Sequence, residues 1–134
     1  MTRRVRYGLT AALAWLAGCT AGTSPYSAPA SAVASPQAQE ELRQVRQAYD
    51  AGRYGDVIRR VARSDALAAA PDDLRIEAFK LQAFSYCVND YAQLCQDAFG
   101  RILQIRPDFT LAPSEAGHPQ WGPVFERAKV ASGG

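Results

Sequence analysis

Tyr49-Asp50-Ala51-Gly52-Arg53-Tyr54 and Tyr86-Cys87-Val88-Asn89-Asp90-Tyr91 each set a tyrosine at either end of a short connection, and the second stretch follows the first by 37 positions, Tyr49 to Tyr86 and Tyr54 to Tyr91. Apolar residues recur at helical spacing on both sides of each stretch. Upstream of the first, Ser35 supplies an N-cap and Pro36 a residue suited to the first helical position. Leu42, Val45, Ala48 and Tyr49 then share a face, and Gly52 is placed to end the helix. Tyr54, Val57, Ile58, Val61 and Ala62 form a second stripe, which tapers off through Asp65 to Pro71. Asp72 and Asp73 open a third helix, where negative charge suits the positive end of the macrodipole, and Ile76, Phe79, Ala83, Tyr86 and Cys87 are its buried stripe. Asp90 with Gln93 three residues on reads as a capping box. It starts a fourth helix that buries Leu94, Cys95, Ala98, Phe99, Ile102 and Leu103 and stops before Pro107. The pattern predicts an all-α fold of two helical hairpins.

The spacing is close to the ~34-residue period of tetratricopeptide repeats, and the second unit resembles that repeat. Counted back from Pro107 as the terminal proline, Phe79 falls at a large aromatic position, Ala83 at a Gly or Ala position, Tyr86 at the tyrosine and Phe99 at the second aromatic. The first unit departs from it: Pro71 comes about two residues late and Glu41 stands where the aromatic belongs. Beyond Pro107, three prolines (113, 119, 123) and two glycines (117, 122) forbid a continuous helix until about Pro123. Phe109, Leu111, Trp121 and Phe125 are too apolar for a free tail. The expectation is an extended strap across the last hairpin with Trp121 as its plug, then a short fifth helix carrying Val124, Phe125, Ala128 and Val130. A docking motif for a partner is the other reading of the same residues.

Outward from the hairpins, the chain has 134 residues, 48% hydrophobic and 21% charged, which holds one small domain. Its formal charge of +2 is misleading, because Arg3, Arg4 and Arg6 lie in the first six positions. Without them 12 Lys and Arg face 13 Asp and Glu, so charge gives no footprint for nucleic acid. Those arginines open a bacterial export signal: a basic start, an apolar run from Tyr7 to Ala17, then Leu16-Ala17-Gly18-Cys19. The run is far shorter than the ~20 residues needed to span a bilayer. Its end resembles the lipobox of bacterial lipoproteins. The resemblance implies a diacylglycerol thioether on Cys19, cleavage before it and acylation of the new amino group. Since Thr20 rather than Asp follows, it also implies a periplasm-facing outer-membrane location. Several acyl chains at ~0.8 kcal/mol per buried CH₂ form a lasting anchor. From Thr20 to Gln39 no residue is charged. A flexible chain of that length spans roughly 25 Å, enough to hold a domain clear of the lipid. The organisation read from the chain is a signal peptide at 1–18, a lipidated tether at 19–35 and a helical domain at 36–131.

Cys87 and Cys95, with seven residues between them, lie on either side of the second connection. A short antiparallel connection brings such positions into disulfide range, and the cell envelope is oxidising. Sel1-type repeats, relatives of the tetratricopeptide class, bridge hairpins at this separation, and that resemblance implies a disulfide. Two small apolar core residues remain the alternative. Two thiols fall short of the four ligands of structural zinc, so no metal and no cofactor are expected. His118 is the only histidine and stands between Gly117 and Pro119, where a loop role accounts for it. Neither a nucleophile elbow nor a phosphate-binding glycine loop is present, and nothing in the sequence points to catalysis or to a small-molecule substrate.

Arg59, Arg60 and Arg63, beside Arg46 and Arg53, gather positive charge on the first hairpin, while Asp90, Asp97 and Asp108 weight the second with negative charge. A solvated helix face and a partner-binding surface formed by Arg59, Arg60 and Arg63 both explain the asymmetry. The lipobox, the uncharged tether, the paired hairpins and the ending from Pro107-Asp108-Phe109 through Gly117-His118-Pro119 to Trp121-Gly122-Pro123-Val124-Phe125 together resemble the small lipoproteins of type VI secretion gene clusters, the TssQ family. That resemblance implies an accessory envelope component that binds secretion-apparatus proteins and catalyses nothing. A lipoprotein regulator of a peptidoglycan enzyme and a periplasmic immunity or inhibitor protein are the competing classes.

Overall fold

Ser35 starts the folded region: its Oγ accepts the Ala38 N–H at 3.1 Å, and Pro36 occupies the first turn, where no intrahelical N–H is needed. The computed structural model describes residues 33–133. The signal peptide, Cys19 and the tether up to Ala32 lie outside the described residues. Seven helices follow one another: α1 Pro36–Asp50, α2 Tyr54–Arg63, α3 Asp65–Ala68, α4 Asp72–Val88, α5 Ala92–Ile105, α6 Pro113–Ala116 and α7 Gly122–Ala131. The fold is all-α, and no strand occurs among the described residues.

Helices α1 and α2 form one hairpin and α4 and α5 a second, with α1 and α2 both packed on α4. Helix α7 closes the far side against α5. Leu42, Val45, Ala48, Val57, Val61 and Ala78 fill the space between the first hairpin and α4. A larger cluster centred on Phe84, Phe99, Ile102, Trp121 and Phe125 binds the second hairpin to the C-terminal segment. Tyr49 and Phe79 touch both clusters, which makes the two units one continuous core.

The two hairpin turns share one backbone, in a register different from that of the tyrosines. Gly52 (φ 70°) and Asp90 (φ 63°) are left-handed residues at equivalent places. The residue after each closes the turn: Arg53 N–H donates to Ala48 O at 2.8 Å and Tyr91 N–H to Tyr86 O at 2.9 Å. This is a Schellman cap in both cases. From Gly52 to Asp90 is 38 positions, so Tyr49 corresponds to Cys87 and Ala48 to Tyr86. The tyrosines recur for another reason: Tyr49 meets Tyr54 edge to face at 5.5 Å and Tyr86 meets Tyr91 at 6.4 Å, a side-chain contact made twice from slightly different backbone positions.

Four further expectations change. Asp90 is the left-handed turn residue and does not cap α5; the residue before that helix is Tyr91, and Gln93 donates to Asp97 at 2.9 Å instead of reaching back. With the turns matched at Gly52 and Asp90, Cys95 is the counterpart of buried Val57 and turns inward, while Leu94 is the counterpart of Asp56 and lies on the outer face, 46% exposed. The taper after α2 contains one more helical turn, α3, because Ser64 Oγ accepts the Leu67 N–H at 3.2 Å. The C-terminal strap is likewise interrupted by the single turn α6, which Pro113 opens and which Glu115 Oε2 fastens by accepting the Ala112 N–H at 3.0 Å. Gly122 is required where α7 begins, since a Cβ there would lie 2.4 Å from Ala116 O.

Candidate partner-binding site

Helix α2 presents Arg59, Arg60 and Arg63 to solvent because Val57 and Val61 turn its opposite face into the core. The three line one open groove of about 570 Å³ at the end of the first hairpin, together with Gln37 and Glu41 of α1 and the turn Ser64–Asp65. The sequence-predicted cluster is therefore assembled in space, but it is not a bare positive patch. Asp56 pairs with Arg59 and, at 3.3 Å, with Arg53. Glu41 lies 3.6 Å from Arg60. Among the described residues no carboxylate lies within ion-pair distance of Arg63. Glu41, Asp56 and Asp65 equal the three arginines in number, so the groove is formally neutral, with Arg59 and Arg60 paired and the Arg63 guanidinium beyond ion-pair distance of a carboxylate among the described residues.

Arg46 is not part of that groove. It forms a two-pronged pair with Glu77 of α4 at 2.5 and 2.6 Å, which joins the first hairpin to the second and raises the Arg46 pKa. On the next turn of α4, Lys80 reaches Glu115 of α6 at 2.7 Å. These two pairs tie α1, α4 and the strap together in sequence.

Trp121 is 9% exposed, its ring stacked on Phe84 with centroids 4.2 Å apart and its Nε1–H donated to Glu115 O at 2.9 Å. His118 covers the other face of the indole at 3.3 Å, and its Nδ1 accepts the Gln120 N–H. The plug expected from the sequence is thus buried in cis, with His118 as its cover. Leu111 and Phe125 are buried as well, whereas Val130 is 78% exposed. Tyr49, half-buried beside this cluster, has its phenol pKa raised chiefly by burial.

Cys87 and Cys95 lie at disulfide distance, with Sγ atoms 2.08 Å and Cα atoms 5.3 Å apart, and both side chains are buried. Gln82 had no signal in the sequence beyond its place in α4. It is 1% exposed, donates to Ile58 O at 3.2 Å and accepts from Arg101 at 3.3 Å, while Arg101 sits 5.0 Å over the Phe79 ring. Leu94, expected in the buried stripe of the fourth helix, stands instead on the outer ridge of the second hairpin beside Tyr91.

No group of three His, Cys, Asp or Glu side chains able to hold a metal occurs among the described residues. None of the described helices is long and apolar enough to cross a membrane. No protein-family model, curated protein or solved structure matches the chain.

Proposed function

We propose that this chain is a lipid-anchored protein of the bacterial envelope that works by binding other proteins, as an accessory component of a type VI secretion system. The observation that carries the reading is the boundary Leu16-Ala17-Gly18-Cys19, set after a short apolar run and before an uncharged stretch that leads into the Ser35 cap of a small helical domain. A domain held on a tether of roughly 25 Å samples a thin layer above the membrane, and partners in that layer meet it at a high effective concentration. The groove carrying Arg59, Arg60 and Arg63 opens beside α1 residues Gln37 and Glu41, close to where the tether enters the fold. In this reading it is the partner-facing surface and lies on the membrane side of the domain.

The test has two parts. Cys19→Ser is expected to abolish outer-membrane fractionation and to leave an N-terminal mass without acyl chains; unchanged fractionation and mass would remove the anchor from the proposal. Crosslinking in living cells, followed by identification of the attached protein, tests the rest. Recovery of a secretion-apparatus component, reduced when Arg59, Arg60 and Arg63 are all changed to Glu, supports it. Recovery of a peptidoglycan synthase or of a single toxin would replace it with one of the competing classes.

A further inference from the structure

The two hairpins can be compared position by position once their turns are superposed on Gly52 and Asp90. In the first, the outward ridge after the turn carries Arg53 and Asp56, an ion pair at 3.3 Å. In the second, the equivalent positions 38 residues on are Tyr91 and Leu94, which are 56% and 46% exposed. The same solvent-facing ridge has a salt bridge in one unit and two large apolar side chains in the other. The core does not account for Leu94, because Cys95, Ala98 and Phe99 supply the buried face of α5, and Tyr91 rests one ring edge on Tyr86 at 6.4 Å while more than half of it stays in solvent.

Asp90 and Asp97 flank Tyr91 and Leu94, and neither has a Lys or Arg within ion-pair distance among the described residues. Asp97 also borders a shallow cleft of about 250 Å³ between α5 and α7, whose lining includes Gly100, Ala128 and Ala131. Two exposed apolar side chains with an unpaired carboxylate at either end of their ridge define a partner by complementarity. Like charge disfavours an anionic lipid surface, and nothing cationic in residues 20–32 answers the two aspartates.

We infer that the Tyr91–Leu94 ridge is a second docking surface, separate from the arginine groove, and that its occupant is a protein segment with an apolar anchor flanked by Lys or Arg. Together the two surfaces make the domain a bridge between two partners. The inference rests on the reading of the chain as a protein-binding module but not on its lipid anchor.

The experiment uses the full chain in its own cell with a photo-crosslinking amino acid at Gln93, next to the ridge, and mass-spectrometric mapping of what it captures. The same probe at Arg60 reports the other surface. The result expected is a cross-linked segment with a large apolar residue between basic ones, its yield falling at least tenfold in Tyr91→Arg with Leu94→Asp, which copies the first hairpin's pair. Asp90→Asn with Asp97→Asn keeps the apolar anchors and is expected to lower the yield several-fold, so it decides the matter if the first variant fails to fold. Capture of lipid, of a second copy, of the chain's own residues 20–32 or of an acidic segment would overturn the inference, as would no capture or a yield indifferent to both variants. A silent probe at Gln93 with a productive one at Arg60 sinks this inference alone; silence at both sinks the binding-module reading as well.

Discussion

Gln82 holds a polar contact inside the junction between the hairpins, and its neighbours set the cost of losing it. Truncation to Ala deletes two hydrogen bonds and opens a small void among α2, α4 and α5, for an expected loss of about 2–3 kcal/mol. Gln82→Leu refills the volume and loses only the polar contacts, so its loss is smaller. Thermal unfolding followed by circular dichroism checks the order, since about 1 kcal/mol moves the midpoint of a domain this size by roughly 4–8 °C. A stability of Gln82→Ala equal to that of the parent would mean that Arg101 and Ile58 are satisfied without it. Glu40 offers a second residue-scale test. Hydrogen bonds from Arg43 and Gln44 lower its carboxyl pKa from 4.5 to about 2. A depressed carboxylate contributes above its unfolded pKa, and the contribution disappears as pH falls from about 4.5 toward 2. A ¹³C titration of Glu40 should therefore show a midpoint near 2 that moves up in Arg43→Ala; an unmoved midpoint would contradict the assignment to Arg43.

At the level of elements, the paired turns differ in a way that predicts opposite responses. Gly52 tolerates its positive φ without a Cβ, so Gly52→Ala is expected to cost about 1 kcal/mol, whereas Asp90→Gly relieves a left-handed side-chain residue and is expected to gain up to about 1 kcal/mol. Equal destabilisation by both would show that Asp90 has a favourable local contact. The start and the turn of the first hairpin were legible in the sequence because they are set by local chemistry: the Ser35 hydroxyl, the φ of Pro36 and the freedom of Gly52 act within one turn of the chain, whereas the second turn was misread because Asp90 suits a helix cap as well as a left-handed turn. The register between hairpins was not, because Tyr49, Tyr54, Tyr86 and Tyr91 recur through ring contacts and mislead by one residue. That single step decides whether Leu94 or Cys95 is the counterpart of buried Val57, so of the two residues expected to face inward only Cys95 does, and periodicity alone cannot supply the step. The sequence showed the arginines on one helix, yet Glu41 and Asp65 reach the same groove from other elements, so its charge balance is a tertiary property. Cys87 and Cys95 belong to this scale too. Under oxidising conditions a bridge between them closes a short loop and is expected to contribute on the order of 2 kcal/mol. A Cys87→Ser, Cys95→Ser double variant should melt lower under oxidising conditions and match the reduced parent; two freely alkylated thiols in rapidly trapped periplasmic material would refute the bridge.

For the whole molecule, the strap decides whether the second hairpin is a finished unit. Phe84 and Phe99 would face solvent without Trp121 and Phe125, so Trp121→Ala is expected to cost about 3–5 kcal/mol and to loosen α7 along with it. Hydrogen exchange should then rise in α6 and α7 before it rises in α1 and α2; uniform exchange across the chain would mean that the hairpins and the strap unfold as one. The sandwich of Phe84, Trp121 and His118 also has an optical consequence. A chain that begins at Cys19 lacks Trp15, which leaves Trp121 as its single tryptophan. Its emission is shielded from water while the indole is stacked and shifts to the red when the strap lifts. Native fluorescence therefore reports the docking of one segment while the helical ellipticity reports the rest, and a partner that displaces the strap would be visible by colour without any label.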